Sequence, residues 1–371
     1  MRALKVAWDN SLAGRDRAGT GVYAARLLEQ FANRSDLRLE VLSGWRRNSS
    51  DTLISRGLGT VRNLLWTHAH LPRILRNMRV DVLHAPAFVA PSRAPCPVVV
   101  TVHDITYLLY PSHFSRWWVT YMQMVMPPAM KSAAAIVCGS EHSRRDIAKT
   151  YNIPPDKVHV VPYGVDHQRF HPGVTLDCDW ARSLGIRDGY LLHVGTLGYR
   201  KNIPTLLQAV AHLRTKGKWG SRQLVLAGSD SRSIKGATEI FETIKKLDLG
   251  DSVVLTGHVP DEHVPGLYAR ASILVMPSLY EGFGFPVLES MAVGTPVLAS
   301  DTSSLPEVAA DAAILFPPHD EYALAKALED VLQSRSVAEE LRRKGLKRAQ
   351  EFSWQRTAEQ TAAIYRTVTK S

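Results

Sequence analysis

The sequence predicts an α/β protein made of two tandem doubly wound (Rossmann-like) domains, with a C-terminal helix that crosses back to the first. Three observations carry that expectation. At 371 residues the chain exceeds what one hydrophobic core usually serves. Short apolar runs alternate with helical patterns, which implies parallel strands covered on both faces. The alternation stops at the turn-rich segment Pro162-Tyr-Gly-Val-Asp-His-Gln-Arg-Phe-His-Pro172-Gly173 and then restarts.

In the first half, apolar-rich runs at 4–8, 39–42, 80–84, 98–102, 135–138 and 158–161 read as strands. Helical patterns fill 21–32, 68–78, 115–131 and 142–151. In the second half the strands read at 190–194, 223–227, 252–256, 272–276, 296–299 and 313–316. Helices read at 203–215, 234–247, 264–271, 286–293 and 322–335. The segment from Phe352 to Arg366 reads as an amphipathic helix capped by Ser353. The expected division is therefore 1–172, 173–351 and a returning helix at 352–371. In open sheets of this kind ligands bind outside the carboxyl ends of the strands, so the loops there hold the candidate site.

Several classes are disfavoured. The amino terminus has too few apolar residues before its first charge for a signal peptide, and no apolar run approaches the ~18 residues of a membrane span. Cys96, Cys138 and Cys178 stand at unrelated spacings that fit neither a disulfide framework nor a zinc site. A soluble cytoplasmic protein is expected, with peripheral contact at a membrane left open. The formal net charge is +10. Residues 1–173 hold 22 Lys/Arg against 12 Asp/Glu, and the remaining residues hold 23 of each, so the excess lies wholly in the first half. Its densest part, 45–79, has seven arginines and one acid, interleaved with Trp45, Leu64, Leu65 and Trp66. Such a stretch suits an anionic membrane surface or a phosphate-bearing acceptor, and a solvated basic face reads the same way. No nucleic-acid-binding motif accompanies the charge, so nucleic acid is not an expected partner.

The most informative window is Glu281-Gly282-Phe283-Gly284-Phe285-Pro286-Val287-Leu288-Glu289. It lies between a strand and a helix with proline in its first turn. Glu281 falls in the loop and Glu289 about two turns into the helix. Backbone amides and the positive helix end can hold an anion there, whereas the carboxylates would repel phosphate. They suit hydrogen bonds from neutral hydroxyls on a sugar or ribose.

Other segments add to this. Gly19-Thr20-Gly21 ends a loop just before a helix starting near Val22 and lets backbone amides approach a phosphate, although position 24 is Ala, the Gly-x-Gly-x-x-Gly fingerprint is incomplete and a plain flexible loop would look the same. Gly195-Thr196-Leu197-Gly198-Tyr199-Arg200-Lys201-Asn202 places two cations where a departing diphosphate could be neutralised. His103-Asp104 follows a strand and could orient a sugar hydroxyl or share a proton with an acceptor; a helix-capping Asp would look the same. Leu255-Thr-Gly257-His258-Val259 could line a base pocket. Asp177-Cys-Asp179 has a metal–diphosphate form but lies outside a strand end, and no His cluster has metal-ligand spacing. No metal site is expected.

Collected together, these residues resemble the retaining sugar-nucleotide glycosyltransferases of the GT-B type, the group 1 (family 4) class, over nearly the whole chain. The likeness is strongest at 195–202, 257–259, 278–289 and Ser300-Asp-Thr-Ser-Ser-Leu-Pro-Glu307. It implies an acceptor-binding first domain and a nucleotide-sugar-binding second domain. It implies that Glu281 binds the donor sugar, helped by amides at Phe283, Gly284 and Phe285, that Glu289 holds the ribose, and that Val259 lines the base. Arg200 and Lys201 would clamp the diphosphate, the amides of Gly19, Thr20 and Gly21 would approach it, and His103 would contact the sugar. Many members carry arginine after the glycine matched by Gly195; here Thr196 stands there, which shifts the phosphate duty to Arg200 and Lys201. The forms look most like mannosyltransferases using GDP-mannose on a lipid-linked glycan or polysaccharide; a transferase using a UDP- or dTDP-sugar and a non-catalytic sugar-nucleotide-binding protein stay open. The class generally needs no metal or other cofactor.

Overall fold

The computed structural model describes residues 2–13, 19–44, 61–229 and 237–370. The chain divides into two compact units: Met1–Pro111, Ser115–Gly164 and Trp354–Ser371 form the first, and Ser112–Phe114 with Val165–Ser353 form the second.

The first unit is built on six parallel strands: β1 (Leu4–Asp9), β2 (Leu37–Leu42), β3 (Val82–Ala85), β4 (Val98–Thr101), β5 (Ala135–Cys138) and β6 (Val158–Val160), in the order β2-β1-β3-β4-β5-β6. Strands β3, β4 and β5 are buried at every residue. Their continuous apolar runs therefore signal a sheet covered on both faces. The covering helices start where the sequence supplies a cap. Ser115 accepts from Trp118 N to open Arg116–Ser132, and Ser140 accepts from Ser143 N to open Glu141–Tyr151. The helix Trp354–Val368 also belongs to this unit. Its Tyr365 reaches the buried His84, Thr357 Oγ1 donates to Pro162 O at 2.8 Å, and Arg366 pairs with Asp36.

The second unit repeats the plan with β7 (Leu191–Val194), β8 (Leu224–Ala227), β9 (Val253–Gly257), β10 (Ile273–Met276), β11 (Val297–Ser300) and β12 (Ile314–Phe316), in the order β12-β11-β10-β7-β8-β9. All pairs are parallel. The chain moves outward from β7 to β9 and then returns to the other side of β7 with β10. That reversal opens a crevice at the carboxyl ends of β7 and β10, the place where such sheets bind ligands. In the first unit the same reversal falls between β1 and β3.

All twelve expected strands are present to within two residues at either end. Among the described residues four α-helices were not expected: Thr106–Leu109, Cys178–Ser183, Leu305–Ala309 and Arg335–Ala349. The last hides because Ser334 ends one helix and caps the next, leaving no loop between them. The division between units falls after Gly164 rather than after Pro172. Val165 bridges to Ser353 and the Phe170 ring packs 6.1 Å from Tyr268, so this turn-rich stretch is held by the second unit.

Candidate active site

Two loops at the carboxyl ends of β7 and β10 build a largely buried charged cluster, Arg200, Lys201 and Glu281. After β7 the chain passes Gly195, makes a single turn at Tyr199–Lys201, and reverses at Asn202 (φ +52°) into the helix Ile203–Thr215. This brings the Lys201 side chain back over Gly195. A Cβ at that glycine would lie 2.7 Å from Lys201 Cε and 2.9 Å from Nζ, and the backbone there has φ +149°. Behind it, a Cβ on Gly228 would meet Gly195 O at 2.0 Å. Neither glycine admits a side chain without moving the lysine or the strand end.

After β10 the loop carries Glu281 onto the same spot. Glu281 Oε1 accepts from Lys201 Nζ and Oε2 from Arg200 Nη1, each at 2.6 Å. Arg200 Nη1 also donates to Tyr280 O at 2.7 Å. Lys201 and Glu281 are only 6% and 7% exposed. The loop is clamped from β11: Ser303 Oγ accepts from Glu281 N at 2.9 Å, and Ser304 Oγ donates to Glu281 O at 2.8 Å and Phe283 O at 2.7 Å. Ser303 holds a left-handed backbone (φ +55°), a local strain tolerated where the surroundings fix it.

The two glutamates have opposite electrostatics. Burial alone would raise the Glu281 carboxyl, but the charges of Arg200 and Lys201 outweigh it and pull its pKa down to about 2. Burial pushes Glu289 up to about 7, against the opposing hydrogen bond from Tyr268 and the charge of Arg169. Glu289 Oε2 accepts from Tyr268 OH at 2.9 Å. It is the fifth residue of the helix Phe285–Val293, hence just over one turn in rather than two. The N-cap of that helix is Gly284, with φ +115°. Phe283 is buried and sits edge-on to Phe285 and Phe352. Val259 is buried just past β9, and Thr196 is exposed.

In the first unit, Gly19, Thr20 and Gly21 form the first turn of the helix Gly19–Ala32, so their amides belong to a helix N-terminus rather than to a loop. His103 stands just past β4 and is nearly buried. Its Nε2 lies 3.0 Å from Pro86 O, which can only accept, so Nε2 carries the proton; Nδ1 then accepts from Tyr163 OH at 2.8 Å. A ring fixed in this way has to give up Pro86 before it can donate to a sugar. Asp104 Oδ1 accepts from Thr106 N at 2.9 Å, just ahead of the short helix Thr106–Leu109, whose N-cap is Ile105. Asp177 caps Cys178–Ser183 by accepting from Asp179 N and Trp180 N, which gives the Asp-x-Asp a structural task. Of the basic stretch, residues 45–60 lie outside the described residues; Arg73 and Arg76 lie on the helix Leu71–Met78.

Sequence reasoning brought Arg200, Lys201 and Glu281 to one point but did not foresee that they neutralise one another. It missed Gly228, Ser303, Ser304, Tyr268 and His193. His193 is a fully buried residue of β7 whose Nδ1 donates to Val275 O at 3.0 Å. Burial, and then the Lys201 charge, hold its pKa down at about 3, so it stays neutral beside the cluster. The serines had a visible signal in Ser300–Glu307; the others reveal themselves only through packing.

The model for glycosyl transferases group 1 matches residues 180–350, and that for glycosyltransferase family 4 matches residues 17–169. O-antigen chain mannosyltransferase B of Escherichia coli is 33% identical over 298 residues, 79% of this chain and 76% of that one. This chain is a family 4, group 1 glycosyltransferase. Its fold is that of the GT-B enzymes. Sucrose-phosphate synthase from Thermosynechococcus elongatus superposes with a TM-score of 0.78 at 22% identity, covering 98% of both chains. Anabaena HepE in complex with UDP-glucose gives 0.74 at 18% identity, covering 98% of this chain and 100% of that one. Among the described residues no helix of this glycosyltransferase is long and apolar enough to cross a membrane.

Proposed function

We propose that this glycosyltransferase moves mannose from GDP-mannose to a hydroxyl of a lipid-linked glycan or polysaccharide, with retention of anomeric configuration. The observation that carries the reading is the cluster Arg200–Glu281–Lys201 at the reversal of the second sheet. Two cations and a low-pKa carboxylate there match the two halves of an activated sugar: the cations suit the diphosphate, the carboxylate suits the sugar hydroxyls. The mannosyl choice is supported by the name of the Escherichia coli relative, a mannosyltransferase.

As the C1–O bond breaks, its electron pair leaves with the diphosphate and positive charge grows on the sugar. Lys201 and Arg200 would stabilise the leaving oxygens as that charge develops. Glu281 would trade its cations for sugar hydroxyls, and amides at Phe283, Gly284 and Phe285 would assist. Glu289 would accept from the ribose, Val259 would line the base, and Gly195 and Thr196 would border the diphosphate. Amides of Gly19, Thr20 and Gly21 would approach it from the first unit, and His103 would contact the sugar, with Asp104 beside it. The acceptor oxygen would attack from the face the leaving group quits, its proton passing to the departing phosphate oxygen. Both oxygens of Glu281, the carboxylate of the cluster, are engaged by Arg200 and Lys201, which supports this front-face course over attack by the protein. No divalent metal or other cofactor is invoked. The excess positive charge of residues 1–173 supports a cytoplasmic protein held peripherally at an anionic inner membrane face.

The test is a donor screen. Thermal shift with GDP-mannose, UDP-sugars and dTDP-sugars should single out GDP-mannose, since a ligand that binds only the folded state raises Tm. Transfer should persist in EDTA and preserve the anomeric configuration in the product. Stabilisation by a UDP- or dTDP-sugar alone would move the donor assignment; binding without turnover, in wild type as in Glu281→Ala and Lys201→Ala, would make the protein a non-catalytic sugar-nucleotide binder.

A further inference from the structure

The turn-rich stretch 162–173 reads in the sequence as a linker, yet from Val165 onward it belongs to the second unit and takes a fixed shape. Asp166 makes the turn. Its Oδ1 accepts from Gln168 N at 3.0 Å and from Arg169 N at 3.3 Å, and its carbonyl accepts from Phe170 N at 2.8 Å. Phe170 is thereby buried, and its neighbour Arg169 is left half-buried. An arginine in a linker ordinarily keeps its rotamer freedom in water, because fixing so long a side chain costs entropy. This one is fixed at two points. Nη2 donates to Asp261 O at 2.8 Å, and the guanidinium carbon stands 5.4 Å from the centre of the Phe170 ring.

Both anchors lie at the part of the site where the proposed function puts the nucleoside. Asp261 stands two residues past Val259, in the turn between β9 and the helix Val264–Arg270. Phe170 sits edge-on to Tyr268 at 6.1 Å, and Tyr268 OH donates to Glu289 at 2.9 Å. The Arg169 charge also acts on Glu289, drawing its carboxyl down against burial while Asp261 pushes it up. One guanidinium therefore braces the turn expected beside the base and acts on the carboxylate expected at the ribose. Arg200 and Lys201 are engaged elsewhere, with Glu281.

We propose that Arg169 is a positioning residue for the nucleoside of the donor: it ties the turn after β9 to the surroundings of Glu289, so that base and ribose meet one preformed surface. Ordering that turn in advance removes a cost that binding would otherwise carry. The proposal deepens the function given above and rests on it. It does not depend on which base the donor carries, since the anchors of Arg169 are a main-chain carbonyl and an aromatic ring.

The experiment is calorimetric titration of the full-length protein, as wild type, Arg169→Met and Arg169→Lys, with GDP, UDP and inorganic pyrophosphate, and with Tm measured for each. Methionine keeps an apolar stem over Phe170 and removes the charge and the donors. Arg169→Met should bind GDP about fivefold or more weakly than wild type, and Arg169→Lys, with its charge and one donor toward Asp261 O, should fall between them. Pyrophosphate affinity should agree within about twofold across the three proteins, because Arg200 and Lys201 are untouched. All three should melt together, as substitutions of half-buried surface residues usually do. Equal GDP affinity in wild type and Arg169→Met would overturn the proposal. Pyrophosphate weakened as much as GDP would overturn it too, by placing the loss at the diphosphate, and so would a Tm that falls in step with affinity, by assigning the contact to folding alone. UDP bound in place of GDP, with the same pattern of losses, would uphold the proposal and move only the donor assignment. A wild type that binds neither nucleotide would overturn the nucleotide-sugar reading and this proposal with it.

Discussion

Glu281 and Glu289 are the same residue type eight positions apart, yet their surroundings set them to opposite tasks. Glu281 lies in a loop clamped by Ser303 and Ser304 and faces two cations, so it stays ionised with a pKa of about 2. Glu289 lies on a helix, half-buried, with a phenol as its hydrogen-bond partner, and its pKa rises to about 7. Adjacent charge governs the first and desolvation the second. A pair of carboxylates pushed apart in this way can divide work on one ligand, one fixed in charge and one responsive to pH.

Lys201→Ala attacks the first environment and carries the largest expected effect. Losing one preorganised donor to a developing oxyanion costs about 10²–10³ in kcat. Steady-state transfer rates check this; a change of less than about threefold would remove Lys201 from the reaction. Ser304→Ala comes next. It leaves Glu281 O and Phe283 O without their buried donor, at a cost of about 1–3 kcal/mol. Urea unfolding measures that cost, and activity should fall while the pH response assigned to Glu289 stays in place.

Glu289→Gln tests the second environment. An ionised Glu289 accepts ribose hydroxyls more strongly than a neutral one, so donor KM in the wild type should fall severalfold as pH rises through about 7. The amide variant should show a flat profile between pH 6 and 8. For stability, the raised carboxyl favours folding below its unfolded value of 4.5, and that contribution is lost as pH rises through about 7. Glu281 does the reverse: its contribution is present above 4.5 and lost as pH falls through about 2. The smallest effect belongs to Tyr268→Phe. It removes the hydrogen bond that lowers the Glu289 pKa, so the KM inflection should move to higher pH, with kcat at its plateau unchanged.

Most of the architecture was legible because each β-run is short, apolar and bounded by turns, as in Val98–Thr101, buried at every residue. The helix Arg335–Ala349 was not legible, because its start coincides with the end of its neighbour and its composition is largely charged. At the site, Glu281, Lys201 and Arg200 were found from their places in strand-to-helix loops. Their mutual ion pairing was not, because residues 80 positions apart meet only once β7 and β10 lie side by side. Gly228 was equally silent: the close approach of Gly195 O and a φ of +152° make it a glycine, and neither is visible in the sequence. Asp104 appeared in the sequence with a capping role as one of two readings; its carboxylate accepts from Thr106 N, but the N-cap of that helix is Ile105.

The central claim is that Lys201 and Arg200 hold the diphosphate after exchanging Glu281 for it. Calorimetric titration of GDP into wild type, Glu281→Gln and Lys201→Met tests it most directly. With its competing carboxylate neutralised, Glu281→Gln should bind GDP more tightly than wild type, and Lys201→Met should bind it at least about tenfold more weakly. Equal affinity in all three proteins would contradict the account.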